Sequence, residues 1–474
     1  MIFSSNIFMF LFLPITLIGY FLIKKSYRNI FLFIMSLVFY AWGEHKFVFA
    51  MIGSIIFNYS AAVLIEKFRL RQKLCKAILI IGIIGNLALL FVFKYFDFFI
   101  ENINRLGLNL SLAGIALPIG ISFFTFQAMS YIIDVYRQDV SVQRSFLFVG
   151  LYIALFPQLI AGPIIRYRTI GYQIESRITS FDGFSEGVQR FIIGFSKKVL
   201  LANNMALIAD NAFGLPDIER SVVYAWLGAI AYSLQIFFDF SGYSDMAIGL
   251  GKMFGFKFPE NFNYPYLSKS VSEFWRRWHI SLGQWFRDYV YFPLGGSRVN
   301  TKLRLVSNLF IVWALTGVWH GASWNFVFWG LLYFVLITFE KLTGYPNKFR
   351  SSLAKQLYRI FTILSVIGGW VLFRANGAKA ALGYVLSMFG LVGNSVFCAN
   401  TFFTIREYWM FLLFSILCST ELFKKVRTRI DNSGNKILIT SANIISTCLC
   451  FFCFIWAISF IFISAHNPFI YFNF

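Results

Sequence analysis

The amino-acid sequence predicts an all-α integral membrane protein, and three observations support this fold class. Only 13% of the 474 residues are charged, whereas soluble domains have roughly 25%. Aromatic residues make up 20% of the chain and include 61 Phe. Apolar segments of about 20 residues, the length of a helix that crosses a bilayer, recur throughout. Because the chain has no Gly/Ser linker, Pro-rich hinge or internal repeat, residues 1–474 are predicted to form a single membrane domain.

The apolar segments predict about eleven transmembrane helices, since each helix needs about 20 mostly apolar residues. The good candidates are 7–23, 47–65, 77–100, 115–133, 223–238, 305–318, 322–339, 356–373, 408–423 and 437–464. Segment 29–42 is shorter and is counted with them. Segments 146–161 and 189–208 are ambiguous and could be re-entrant elements that enter and leave the membrane on one side.

The charge pattern indicates a membrane protein and argues against a nucleic-acid-binding one. The net charge is +21, but the cations cluster in short loops between apolar segments, at 24–28, 66–76 and 424–429. This is the positive-inside pattern, which orients helices in a membrane. It places the N-terminus of the first helix outside, and it leaves His45 and His466 in outer loops, where we expect them to be solvated. Because the opening segment has no basic n-region and no small-residue cleavage site, we expect the first helix to remain uncleaved.

The stretch 253–303 is too polar to span a membrane, yet it carries Phe, Trp and Tyr every few residues. Aromatic residues mixed with Arg and Lys suit the lipid headgroup layer. We therefore predict amphipathic or interfacial elements here, on the cytoplasmic side.

Two histidines are candidate catalytic residues. His320 lies in an apolar run at helical spacing with Trp313, Thr316, Gly317 and Trp324, and the small residues near it are expected to leave room around the ring. An ionisable group at membrane depth usually faces a cavity or a partner, although a structural histidine bonded to a carbonyl is equally compatible with this pattern. His279, beside two arginines in the interfacial stretch, is the second candidate. Neutral imidazole can take a proton from a hydroxyl as a general base.

Other chemistries find little support in the sequence. No Ser lies in a G-x-S-x-G nucleophile motif, and no metal site is predicted. The six cysteines are interpreted as small buried hydrophobes. Asp239 and Asp245 lie in an apolar run and must be paired or line a wet cavity, with Arg276 or Arg277 as possible partners. A structural ion pair and a direct catalytic role both remain open for them.

The residues from "FFDFSGYSDMAIGLG" through "FWRRWHISLGQWFRDYVYFPLGG" (237–296), followed by "LTGVWHGASWNFVFWG" (315–330), closely resemble the membrane-bound O-acyltransferase family. More narrowly, they are similar to the bacterial branch that contains the membrane subunit of alginate O-acetylation. "FPQLIAGPIIRY" (156–167) and both ends of the chain match this branch too. The resemblance covers essentially the whole chain, and the two histidine blocks show no departure from the family pattern.

The resemblance implies a funnel of helices with re-entrant elements around a central tunnel. It identifies His320 with the family's near-invariant catalytic histidine and His279 with a second, more variable catalytic position. We expect the tunnel to be lined by aromatic and polar side chains, namely Trp278, Trp319, Trp324, Asp239 and Tyr243. Arg276, Arg277 and Arg287 are expected to contact the phosphates of the donor.

The resemblance also implies a multi-pass protein of the bacterial inner membrane. It would move an acetyl group, with acetyl-CoA as the cytoplasmic donor and no permanently bound cofactor, to an extracytoplasmic polysaccharide. Membrane lipid, the polysaccharide and a separate SGNH-hydrolase-like acetyltransferase are the expected partners. Two alternatives stay open, D-alanyl transfer to teichoic acid and a non-enzymatic role in polysaccharide export or assembly.

Overall fold

The computed structural model describes residues 1–463, 467, 468 and 470. The prediction for His466 lies outside the described residues. Within these ranges the chain is helical and contains no β-strand, which confirms the all-α class. The described residues divide into two compact units, Met1–Phe191 with Tyr243–Pro259 and Ile192–Gly242 with Glu260–Phe474. The expectation of a single membrane domain stays a prediction.

The first unit is built from nine α-helices and segments of two further helices that continue past its limits. It also contains short π-helical segments at Phe8–Phe12 and Phe91–Tyr95 and a 3₁₀ helix at Lys25–Tyr27. Its own α-helices are Leu13–Leu22, Arg28–Gly43, Phe47–Lys67, Gln72–Leu90, Phe96–Asn104, Ile121–Arg137, Phe146–Ala154, Phe156–Leu159 and Tyr167–Glu175. The helices that continue past the unit are Phe181–Ser196 and Val222–Met253.

The second unit holds both candidate histidines and has an aromatic core in which Trp329, Trp370 and Tyr333 are almost completely buried. It contains short π-helical segments at Lys197–Ala202 and Arg287–Tyr291 and a 3₁₀ helix at Pro265–Leu267. Its α-helices are Asn203–Gly214, Val271–Arg277, Ile280–Phe286, Lys302–His320, Trp324–Thr343, Ser352–Arg374, Ala378–Met388, Ala399–Cys418, Leu422–Asp431 and Lys436–Ile463.

Among the described residues, nine helices are long and apolar enough to cross a membrane, which supports a multi-pass protein. They are Phe47–Lys67, Gln72–Asn104, Phe181–Gly214, Val222–Met253, Lys302–His320, Trp324–Thr343, Ser352–Arg374, Ala399–Cys418 and Lys436–Ile463. The predicted number of about eleven is higher because three predicted segments form shorter helices, at Phe8–Leu22, Arg28–Gly43 and Ile121–Arg137. Segment 189–208, in contrast, belongs to a continuous helical run.

One local prediction, that the cysteines are small buried hydrophobes, is corrected by burial. The cysteines are free thiols, but only Cys75 is buried. Cys448, Cys450 and Cys453 lie on the helix Lys436–Ile463, whose side chains are largely exposed. In the stretch 253–303, the two helices Val271–Arg277 and Ile280–Phe286 each have seven residues. Helices of this length reach about 10 Å, so neither crosses a bilayer.

Candidate active site

His320 is the last residue of the helix Lys302–His320, which ends because Gly321 adopts extended backbone angles. Its side chain is buried and surrounded by aromatic rings. The ring centroids of Trp319, Trp329 and Phe373 lie 5.0, 4.8 and 5.2 Å from the imidazole, and all three meet it edge to face. These rings exclude water from three sides of the imidazole.

The glycines near His320 serve helix packing, which corrects the expectation that they leave room around the ring. A Cβ on Gly317 would lie 2.5 Å from the backbone oxygen of Phe326, and one on Gly330 would lie 2.5 Å from that of Trp313. A Cβ on Gly321 would meet the Phe326 ring at 2.3 Å. The two helices that flank His320 therefore pack with their backbones in close contact, which fixes the position of the histidine.

His279 lies between the two seven-residue helices and has a left-handed backbone, with φ +44°. Non-glycine residues adopt this region at a cost of roughly 1–2 kcal/mol, and such conformations persist where surrounding contacts hold them. Asn261 supplies these contacts: its backbone oxygen accepts from Ile280 N at 2.9 Å, and its Oδ1 lies 3.2 Å from His279 Nδ1. The same Oδ1 accepts from the backbone N and the Oγ of Ser281 at 3.1 and 2.8 Å.

The helix before His279 is anchored at its N-terminus by a buried carboxylate. The two oxygens of Glu340 accept the backbone N–H groups of Val271 and Ser272 at 2.7 and 2.8 Å. Ser270 Oγ caps the helix by accepting from Glu273 N at 3.1 Å. Since the N–H groups at a helix start have no partner within the helix, these bonds fix the helix that leads into His279.

The two histidines share one aromatic neighbour. The Trp319 ring lies 6.1 Å from the ring of His279 and 5.0 Å from that of His320. Phe240 meets His279 edge to face at 4.6 Å. Burial lowers the pKa of His279 well below its usual value of 6.5, and the electrostatic interaction with the neighbouring His320 lowers it further. His279 is therefore neutral near pH 7 and can accept a proton.

The residues expected to line a tunnel lie in different surroundings. Trp278 is buried against Trp370, with ring centroids 4.8 Å apart, and Trp319 contacts both histidines. Trp324 begins the next helix and does not share the helical face of His320; its side chain is 44% exposed. Tyr243 belongs to the first unit, where it stacks on Phe3 at 4.5 Å. Their assignment to a tunnel stays a prediction.

The two buried aspartates pair with cations other than the arginines expected from the sequence. Asp239 forms an ion pair with Lys198 at 2.6 Å, and both side chains are 2% exposed. Its Oδ2 also accepts the backbone N–H of Ile470 at 2.8 Å. Asp245 pairs with Arg190 at 2.6 Å. These partners come from the helical run 181–214, and neither could be selected from the sequence pattern alone.

The three arginines predicted to bind the donor differ in whether a neighbouring carboxylate already pairs with their charge. Arg277 is engaged by Glu273 at 2.8 Å, and Arg287 by Asp288 at 2.9 Å. Arg276 is exposed and forms no ion pair within the described part of the chain. It lines two cavities. The first, of about 490 Å³, is lined mainly by apolar side chains, five of them aromatic, and reaches His279 and Arg287.

The second cavity, of about 550 Å³, is polar and shares Ser272, Arg276 and Lys341 with the first. Its wall carries five cations and two acids, namely Lys269, Arg276, Lys341, Lys355, Arg359, Glu273 and Glu340. One of the acids, Glu340, is already occupied by backbone N–H groups. The cavity therefore presents mainly positive charge. No group of three metal-binding side chains occurs among the residues that the structure describes.

Sequence reasoning missed Asn261, Glu340 and Lys198. Asn261 is 18 positions from His279 and Glu340 is 69 positions from Val271, so no local spacing connects them. The one available signal was polarity in an apolar context, because Glu340 and Lys198 lie in helices that are otherwise largely apolar.

A buried pair of histidines within a multi-pass helical membrane protein defines a candidate membrane-embedded transferase. The model of the membrane-bound O-acyltransferase family (MBOAT) matches residues 120–367, a range that contains both histidines. The chain belongs to the membrane-bound O-acyltransferase family. It is thus an O-acyltransferase, and the family prediction made from the two histidine blocks is confirmed.

Three similar proteins indicate the branch of the family to which this chain is related. The protein named "Probable alginate O-acetylase AlgI" of Pseudomonas aeruginosa is 43% identical over 394 residues, which cover 82% of this chain and 75% of that protein. "Peptidoglycan O-acetyltransferase" of Helicobacter pylori is 34% identical and covers 100% of this chain and 98% of that protein. "Teichoic acid D-alanyltransferase" of Bacillus subtilis is 33% identical, but covers only 47% of this chain and 60% of that protein. The similarity to alginate O-acetylases confirms the predicted branch.

Proposed function

We propose that this protein transfers an acetyl group from acetyl-CoA to a hydroxyl group in the O-acetylation of an extracytoplasmic polysaccharide. The observation that carries the proposal is the buried pair His279 and His320, joined by Trp319, with a cavity of about 490 Å³ that reaches His279. The names of the relatives that match most of the chain, an alginate O-acetylase and a peptidoglycan O-acetyltransferase, support acetyl as the group and a glycan as the acceptor.

The two cavities, which share three wall residues, fit the two halves of the proposed donor. Coenzyme A has phosphates on its nucleotide part and a narrow chain that ends in the thioester. The cations of the polar cavity, including Lys355 and Arg359, suit the phosphates through charge-assisted bonds. The apolar cavity suits the chain, and His279 forms part of its wall. Arg276, which lines both cavities, would bind where the two halves meet.

His320 acts in this proposal as the general base or proton shuttle, and His279 is the second catalytic residue. The hydroxyl oxygen of the acceptor forms a bond to the thioester carbonyl carbon while its proton passes to an imidazole. The bond from carbon to sulfur then breaks, and the thiolate leaves and takes the proton back. General acid–base catalysis contributes about 10²–10⁴-fold to such reactions, and the surrounding aromatic rings keep water from competing for the thioester.

The same proposal places the protein in the bacterial inner membrane, with the donor cavities on the cytoplasmic side. The basic loops support this orientation through the positive-inside rule. A separate SGNH-hydrolase-like acetyltransferase would complete the transfer to the polysaccharide outside. D-alanyl transfer is the second candidate, and the partial match to a teichoic acid D-alanyltransferase favours it. A carrier-bound donor has no nucleotide, so it would leave the polar cationic cavity unused.

Chemical analysis of the cell surface separates these candidates. Cells that lack the protein are complemented with the wild type or with His320→Ala, at matched protein level. Mild alkali then releases ester-bound groups from the surface glycan, and acetate and D-alanine are both quantified. We expect the wild type to restore acetate and His320→Ala to restore none. Restoration of D-alanine instead of acetate would support the second candidate, and full acetate with His320→Ala would support a non-enzymatic role.

A further inference from the structure

We infer that Asn261 is a positioning residue that fixes the tautomer of His279, so that Nδ1 carries the proton and Nε2 carries the lone pair. The inference rests on the contacts around Asn261 Oδ1. The backbone N–H of Ser281 can only donate, and it points at this atom from 3.1 Å. The atom must therefore be the carbonyl oxygen of the amide, because an NH₂ group in its place would face another donor.

The identity of Asn261 Oδ1 determines the state of His279. Its Nδ1 lies 3.2 Å from this oxygen, the longest of the three contacts that the oxygen makes. An unprotonated Nδ1 would set two lone pairs against each other at this distance. A protonated Nδ1 donates to the oxygen instead. In neutral imidazole only one nitrogen carries hydrogen, so Nε2 is left as an acceptor.

Asn261 also holds the backbone conformation of His279. His279 is held in the left-handed region by hydrogen bonds from Ile280 N to Asn261 O and from Ser281 N to Asn261 Oδ1. Asn261 therefore fixes both the direction of the ring and its proton. Phe240 and Trp319 enclose the ring from two other helices, so it cannot turn over freely.

The functional consequence rests on the proposed acetyl transfer. A histidine whose Nε2 has no proton cannot stabilise the oxyanion of the thioester by donating a hydrogen bond from that nitrogen. It can accept the proton of the attacking hydroxyl. His279 therefore acts, like His320, as a proton acceptor in the reaction. The titratable and charged groups around it are His320 and the cations that line the same cavity, Arg276, Arg287 and Lys341.

The tautomer can be measured directly by ¹⁵N NMR of the full chain in nanodiscs, with labelled histidine. A His279→Gln variant identifies the His279 signals. We expect the wild type to show the Nδ1–H form, and Asn261→Leu, which has no acceptor, to lose that preference. Asn263→Ala is the matched control, because its side chain is exposed on the same loop, and it should leave the signals unchanged. The Nε2–H form in the wild type would overturn the inference, whatever reaction the protein catalyses.

Kinetics test the functional part with labelled acetyl-CoA in inside-out membrane vesicles. Asn261→Leu should lower kcat about 10–100-fold, the range seen when a metal-binding histidine loses the partner that orients it, with KM for acetyl-CoA close to that of the wild type. Asn261→Asp keeps the acceptor and adds a negative charge, which raises the pKa of His279. The acid limb of its pH–rate profile should move to higher pH. An unchanged profile for Asn261→Asp would overturn the role of His279 as a proton acceptor.

Discussion

Replacing Asp239 with Asn is expected to destabilise the protein strongly, because it leaves the charge of Lys198 buried without its counter-ion. The two side chains are 2.6 Å apart and 2% exposed. Lys198 also donates to the carbonyl of Pro468, and Asp239 accepts from Ile470 N. The pair therefore fixes the end of the described chain as well as two helices. Removal of one member of a buried ion pair costs about 3–5 kcal/mol.

A loss of about 3–5 kcal/mol corresponds to a factor of roughly 10²–10⁴ in the folding equilibrium. The variant should give less folded protein in detergent and a lower midpoint of thermal unfolding, followed by fluorescence-detected size-exclusion chromatography. Glu186→Gln is the matched control. It removes one carboxylate from an exposed pair with Lys252, and exposed pairs contribute little to stability because water and salt screen them.

A double variant separates a structural role from a catalytic one. Lys198→Met with Asp239→Asn removes both charges and keeps an oxygen that can accept the Ile470 N–H. Neutral replacement of a buried ion pair is often tolerated, so the double variant should recover both stability and acetylation. A stable Asp239→Asn protein without activity would refute the reasoning and place Asp239 in the chemistry. A double variant that is stable but inactive would lead to the same conclusion.

Three further predictions follow from particular sites. His279→Gly should be more stable than His279→Ala by roughly 1 kcal/mol in thermal unfolding, because only glycine adopts a φ of +44° without strain; equal stabilities would contradict this, and both variants should acetylate less. Burial lowers the pKa of His279 below about 6.5, so as the pH falls the unfolded state binds a proton on this residue before the folded state does, and the free energy of unfolding should be level above pH 6.5 and fall below it. Thioester turnover should likewise fall only below pH 6.5, where folded His279 becomes protonated. An acid limb centred above pH 6.5 would contradict this. In a cysteine-free background, Ser297→Cys should react only with reagents on the cytoplasmic side and Leu106→Cys only with external reagents; the reverse pattern would invert the predicted topology.

The sequence predicted the helical membrane class better than it predicted the boundaries of the elements. Apolar length and loop charge are local properties, so most of the long helices were located correctly. The predicted segments 305–318 and 322–339 left a break close to the observed helix end at His320, but the helical face of His320 was continued across that break to residue 324. Trp324 was consequently assigned to the wrong helical face.

The partners of the site residues could not be predicted because they are distant in the chain. Lys198 and Asp239 are 41 positions apart in separate helices, and the arginines beside His279 were closer in sequence and equally suitable in charge. The role of Asn261 depends on the fold of the loop before the helix Val271–Arg277. Only the match of both histidines to a family pattern linked them before the structure brought both into contact with Trp319.

Transfer of labelled acetyl from acetyl-CoA by inside-out vesicles tests the central claim most directly. The vesicles contain equal amounts of the wild type or His320→Ala, and the donor is added to the exposed cytoplasmic face. We predict that labelled acetyl groups accumulate inside wild-type vesicles as esters that alkali releases. The rate should be at least about 10²-fold higher than with His320→Ala. Equal rates for the two proteins would contradict the assignment of His320 as the catalytic base and, with it, the proposed reaction.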